Sequence, residues 1–97
     1  MSNSKLRQVI KAPDVLLQDL EGEAVLLNLA NGQYYGLDES SFAMYKTLLS
    51  CSSVQAAYEN LCQEYAVNPY QLSADLDKFL KDLLENGLLL YADEQSE

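Results

Sequence analysis

The sequence predicts an α+β domain in which three short antiparallel strands precede three helices. Three observations carry this prediction. Asn31-Gly32 sits between two apolar runs, the second half of the chain repeats apolar residues at helical spacing, and capping residues stand where those repeats begin and end.

The strand half begins with Val15-Leu16-Leu17-Gln18-Asp19-Leu20, followed by Glu21-Gly22. Ala24 to Leu29 forms a second apolar run, and Gln33-Tyr34-Tyr35-Gly36-Leu37 a third. Asn-Gly between such runs signals a two-residue type I′ turn, because both central positions must take positive φ. That turn pairs Leu29 with Tyr34 and Leu27 with Gly36 on one face, and Asn28 with Tyr35 and Leu26 with Leu37 on the other. Neither face is cleanly polar. Either the sheet is buried on one side and partly covered on the other, or one margin awaits a partner.

The helical half opens at Asp38 or Ser40, and Phe42, Tyr45, Leu48 and Leu49 follow at helical spacing. Ser50-Cys51-Ser52-Ser53 breaks that helix, with Ser52 or Ser53 capping the next. Ala57, Tyr58, Leu61, Cys62 and Tyr65 form the stripe of a second helix over about 54–65. Asn68-Pro69 opens a third, since proline is tolerated in a first turn, and Asn86-Gly87 closes it. Leu88 to Tyr91 adds a short strand or packs as an extended tail. Residues 1–8 and 92–97 are expected to be flexible around a single domain. Strands followed by a helix-turn-helix make the pattern winged helix-turn-helix-like.

Composition narrows the function. The 97 residues carry a formal charge of −9, and beyond residue 11 only Lys46, Lys78 and Lys81 stand against fifteen acids. Nucleic-acid binding needs a basic patch, and the third helix instead carries Asp75, Asp77, Asp82 and Glu85. An anionic membrane repels the same surface, so a neutral or basic partner fits best. The N-terminus lacks the apolar core of a signal peptide, and no apolar run approaches the roughly 20 residues of a membrane span, so a cytoplasmic protein is expected. Histidine is absent, Cys51 and Cys62 are too far apart for a CxxC site, and no phosphate-binding glycine loop occurs. The expectation is a binding module with no catalytic residues, metal or cofactor. Cys62 reads as a reduced core thiol.

The stretch from Glu23 to Asp38, with Val25-Leu26-Leu27-Asn28 leading to Gly32, Tyr34 and Leu37-Asp38, resembles the signature hairpin of PqqD-like proteins. Ala57, Leu61 and Tyr65-Ala66-Val67 are similar to that family's second helix. Asp75-Leu76, Phe79-Leu80, Leu83 and Gly87-Leu88-Leu89 are similar to its third. The resemblance spans about residues 9–90. Ser41 and Tyr45 replace a glycine and a frequent tryptophan of the family, and Ser50-Cys51-Ser52 replaces the glycine expected after the first helix. The family comprises non-enzymatic recognition elements that bind the leader of ribosomally made, modified peptides, including those of pyrroloquinoline quinone and lasso-peptide biosynthesis. Membership implies a bacterial protein that binds a precursor's leader peptide and presents it to a modifying enzyme or leader peptidase. The alternative is an acidic adaptor that docks a protein through its helices without adding a peptide strand.

The site follows from strand order. In a three-strand meander the last strand, Gln33 to Leu37, is an edge with unpaired backbone groups and neither proline nor charge, whereas Pro13 removes a donor near the other edge. An added leader strand gains main-chain hydrogen bonds there and side-chain selectivity from neighbouring pockets. On a helical wheel Leu72, Leu76 and Leu83 centre the third helix's apolar arc. Phe79 lies at one margin beside Asp75, Asp82 and Asn86, and Leu80 and Leu84 lie at the other beside Asp77. The Phe79 margin is expected to line the groove, because its acids can meet a basic leader residue, with the opposite margin as the alternative. The expected peptide-binding set is Gln33, Tyr34, Tyr35, Gly36 and Leu37 on the edge, with Asp75, Leu76, Phe79, Leu80 and Leu83 on the helix.

Overall fold

The computed structural model describes residues 4–65 and 67–92. Eight principal elements follow in order: β1 (Val9–Lys11), β2 (Val15–Leu20), β3 (Glu23–Asn28), β4 (Gln33–Leu37), α1 (Glu39–Ser50), α2 (Val54–Glu64), α3 (Pro69–Glu85) and β5 (Leu89–Tyr91). The α+β class and the three helices stand as expected. The three expected strands form one sheet as β2, β3 and β4, and the tail takes the strand alternative as β5. β1 is additional, so the described residues hold five strands rather than three. β1 pairs antiparallel with β5, Val9 opposite Tyr91 and Lys11 opposite Leu89, as a separate two-stranded ribbon. Three residues are too short to show a period, and β1 exists only because a partner eighty residues away supplies its ladder.

The ends of the chain help to close this ribbon. The Val54 N–H donates to the Arg7 carbonyl, the Ala92 N–H donates to the Gln8 carbonyl, and the Arg7 guanidinium stacks on the Tyr91 ring at 3.7 Å. The remaining residues expected to be flexible, 1–3 and 93–97, lie outside the described residues.

The helices start where their caps require. Asp38, Ser53 and Asn68 each accept a hydrogen bond from a backbone N–H in the following turn. Each bond satisfies a donor that the helix itself leaves unpaired. The core gathers Leu26 of β3, Tyr45 and Leu48 of α1, Leu61 of α2, Leu76 and Leu83 of α3, and Leu89 of β5. Tyr45 fills its position without the larger ring of tryptophan. Its hydroxyl is buried with no hydrogen-bond partner among the described residues, and burial pushes its pKa up to about 12. Cys62 is half-buried against the same core. None of the described helices is long and apolar enough to cross a membrane.

The three-stranded sheet runs β2-β3-β4, and its second turn corrects another expectation. Asn28 pairs with Gln33, so the connection is a four-residue loop of Leu29-Ala30-Asn31-Gly32, not a two-residue Asn-Gly turn. Among the described non-glycine residues only Glu21 has positive φ, so Asn31 does not meet the type I′ requirement. That geometry belongs to the first hairpin, where Leu20 pairs with Glu23 and the two residues between, Glu21 and Gly22, take φ of 62° and 99°. The second loop is closed by side chains. The Ala30 N–H donates to Asn28 Oδ1 (2.9 Å), and the Gln33 N–H donates to Asn31 Oδ1 (2.9 Å). The pairing has slipped by two residues from the expected register, so every side chain keeps its face. Ala24, Leu26 and Asn28 of β3 are buried beneath the helices, while Val25 and Leu27 point to the opposite face and are half-buried.

Candidate functional site

Among the described residues β4 is an edge strand, hydrogen-bonded to β3 alone. Its residues alternate. Tyr35 and Leu37 share the core-facing side with Leu26 and Ala24, while Tyr34 and Gly36 share the outer side with Leu27 and Val25. Leu37 is fully buried, Tyr35 half-buried, and Gln33, Tyr34 and Gly36 exposed. The five expected edge residues thus divide into an anchor, Leu37, and four that remain accessible.

A buried asparagine sets the distance between this edge and α3. Asn28 is 6% exposed, and its Nδ2 donates to the Asn86 carbonyl at the C-terminal end of α3 (3.2 Å). A small hollow beside this bond is lined by Asn28, Gln33, Tyr34, Tyr35, Asn86 and Leu88. Asp82 lies one turn back along α3. Burial raises the Tyr35 pKa, and the nearby Asp82 carboxylate adds to the rise by opposing a second negative charge.

Asp75, Phe79, Asp82 and Asn86 recur at three- and four-residue intervals and so form one flank of α3. Its C-terminal end is bonded to Asn28 of β3 and borders β4 across the small hollow. At its N-terminal end Asp75 borders a cavity of about 190 Å³ with Ser40, Met44, Leu61, Tyr65, Val67 and Leu72. Asp75 is held by Gln71, whose Nε2 donates to its Oδ1 (2.9 Å). Phe79, 7% exposed, is buried in the core along the same flank.

Three expected helix residues stand elsewhere. Leu76 and Leu83 are fully buried core side chains. Leu80 faces the other flank, where it borders a cavity of about 420 Å³ with Lys5, Val54, Lys81, Leu84 and Tyr91. The structure therefore brings Asp75 and Phe79 onto the flank that reaches β4, and does not bring Leu80 there. Asp82 and Asn86 stand beside Phe79 as the helical wheel places them, but Asn28 was missed as the group that ties this flank to the sheet. The available signal was Asn28 itself, a polar residue at a core-facing position of an apolar strand, where it needs a partner.

The groups gathered here are backbone amides and carbonyls, tyrosines, an apolar floor and carboxylates. That chemistry serves recognition of an extended, neutral or basic segment.

No curated protein sequence matches the chain. The fold is similar to two solved proteins. One is TbiB1, solved in complex with the TbiA(beta) leader peptide, at 30% identity and a TM-score of 0.74, covering 82% of this chain and 94% of TbiB1. The other is a lasso peptide synthetase B1 complexed with its leader peptide, alike in fold at 24% identity and a TM-score of 0.76, covering 86% and 98% of the two chains. Residues 23–89 match the family described as coenzyme PQQ synthesis protein D. Hairpin, caps and helices in this order, matched over that span, place the chain in the PqqD family.

Proposed function

We propose that this protein is a non-catalytic recognition domain that binds the leader segment of a ribosomally made precursor peptide as a fourth strand on β4. It then presents the precursor to a modifying enzyme or leader peptidase in the cytoplasm, where such precursors are synthesised. The observation that carries this reading is the open edge of β4 beside the acidic flank of α3, in a fold similar to a protein solved with a leader peptide bound. The frame acts as a winged-helix-like scaffold whose wing edge takes the peptide and whose third helix supplies the wall. Gln33 to Gly36 offer the main-chain ladder, Tyr34, Tyr35 and Phe79 the apolar contacts, and Asp75 and Asp82 the charge that meets a basic leader residue. Complementary charge makes association faster at low salt than at high salt, with the off-rate less affected.

Amide hydrogen exchange on the protein titrated with a synthetic leader peptide tests this assignment. Added protection is expected at residues 33–37. Protection confined to β2 or to the helices overturns strand addition at β4, even where binding itself is real.

A further inference from the structure

On the sheet face turned away from the helices the register builds short rows. Leu16, Leu27 and Tyr34 stand side by side, followed by Gln18, Val25 and Gly36, and then by Leu20 and Glu23. Leu16, Leu20 and Tyr34 are 55%, 50% and 71% exposed, so the face is apolar and uncovered by any described residue. A shallow cavity of about 390 Å³ lies over the first two rows. Contiguous apolar surface of this kind on a protein of net charge −9 marks an interaction site.

Gly36 is a second and independent sign. Its φ is not in the left-handed region, and a Cβ built on it meets no atom within 4 Å. Neither the backbone nor internal packing requires glycine here, although glycine weakens a strand interior. A glycine in that position marks the close approach of something from outside.

The geometry points to this face as the docking surface for the enzyme that acts on the bound precursor, an inference that rests on the leader-binding reading above. The partner presents an apolar side chain to the hollow beside Gly36 and basic residues to the acidic end of the sheet. At that end Glu23 closes the third row, Glu21 lies in the adjoining turn, and Asp38 directly follows β4. A second copy of this chain does not fit, since it brings a further charge of −9 and the same acidic row. Strand addition uses hydrogen bonds in the plane of the sheet, whereas docking uses the face, so both occur at once. The enzyme is thereby held beside the peptide it must reach.

The test uses the full chain and a purified modifying enzyme or leader peptidase that acts on its precursor, with enzyme affinity, leader affinity and melting temperature measured separately. Leu16→Ser, on the strand farthest from the peptide edge, should weaken enzyme binding at least tenfold and leave leader affinity within twofold of wild type. Val25→Thr, nearly isosteric, should weaken enzyme binding in the same direction. Gly36→Val should melt at or above the wild-type temperature and lose the enzyme. Unchanged enzyme affinity in Leu16→Ser overturns the inference, as does a wild-type chain that does not bind the enzyme. Self-association of the wild type that Leu16→Ser abolishes also overturns it, by naming a second copy as the occupant. A lowered melting temperature in Gly36→Val overturns it too, because the glycine then serves the fold. Leader titration without enzyme reads the leader-binding proposal alone, so the two failures are distinguishable.

Discussion

The two hairpins of the sheet share β3 yet are closed in opposite ways. The first turns through Glu21-Gly22 by backbone conformation, both residues adopting positive φ, with β2 exposed at every position after Val15. The second turns through four residues by side-chain hydrogen bonds, and Asn28 ties it to the end of α3. The stronger turn signal, Asn-Gly, thus lies in the loop that does not use the type I′ geometry. A local preference worth a fraction of a kilocalorie yields when a buried amide can satisfy both a loop N–H and a helix-end carbonyl. The consequence is functional, because the hairpin anchored to α3 is the one whose edge faces the candidate groove. The other is left free at its apolar face.

Breaking the anchor should have the largest effect. Asn28→Ala removes the bond to the Asn86 carbonyl and strands a loop N–H, and is expected to destabilise the protein by about 2–3 kcal/mol in urea titration. Asp19→Ala, at an exposed position of the first hairpin, should stay within about 0.5 kcal/mol of wild type. Next in size, Gly32→Val forces a β-branched residue to a φ of 75° and should cost about 1–2 kcal/mol, with Gly32→Asn milder. Equal melting temperatures for these two variants would show that the loop relaxes around position 32.

A smaller effect of opposite sign is expected in the first hairpin. Glu21→Asn places Asn-Gly where both residues already have positive φ, and should stabilise by about 0.5 kcal/mol in thermal unfolding. The smallest effect concerns Asp38, which ends the second hairpin and caps α1. The Ser41 N–H holds its carboxyl below the usual value of 3.8. Its contribution is therefore present above that pH and is lost as pH falls through the lowered folded value. Asp38→Asn keeps the cap but removes the titration, so its stability should vary less with pH across that window than that of wild type.

Local chemistry determined much of this protein from the sequence by itself. The three helices start at Asp38, Ser53 and Asn68 because capping and proline placement are decided by neighbouring residues, and the apolar period assigns Leu72, Leu76 and Leu83 to the core. The open edge at residues 33–37 was legible too, since strand order alone leaves the last strand of a meander unpaired. Only the tertiary structure decided the rest. β1 and β5 need each other across the whole chain, a dependence that no local window contains. The register of β4 depends on a hydrogen bond between residues 28 and 86, which overrules the local turn preference. Whether Phe79 or Leu80 faces the edge depends on how α3 is rotated. That rotation is set by burial of the apolar arc against α2 and β5, not by the helix's own sequence.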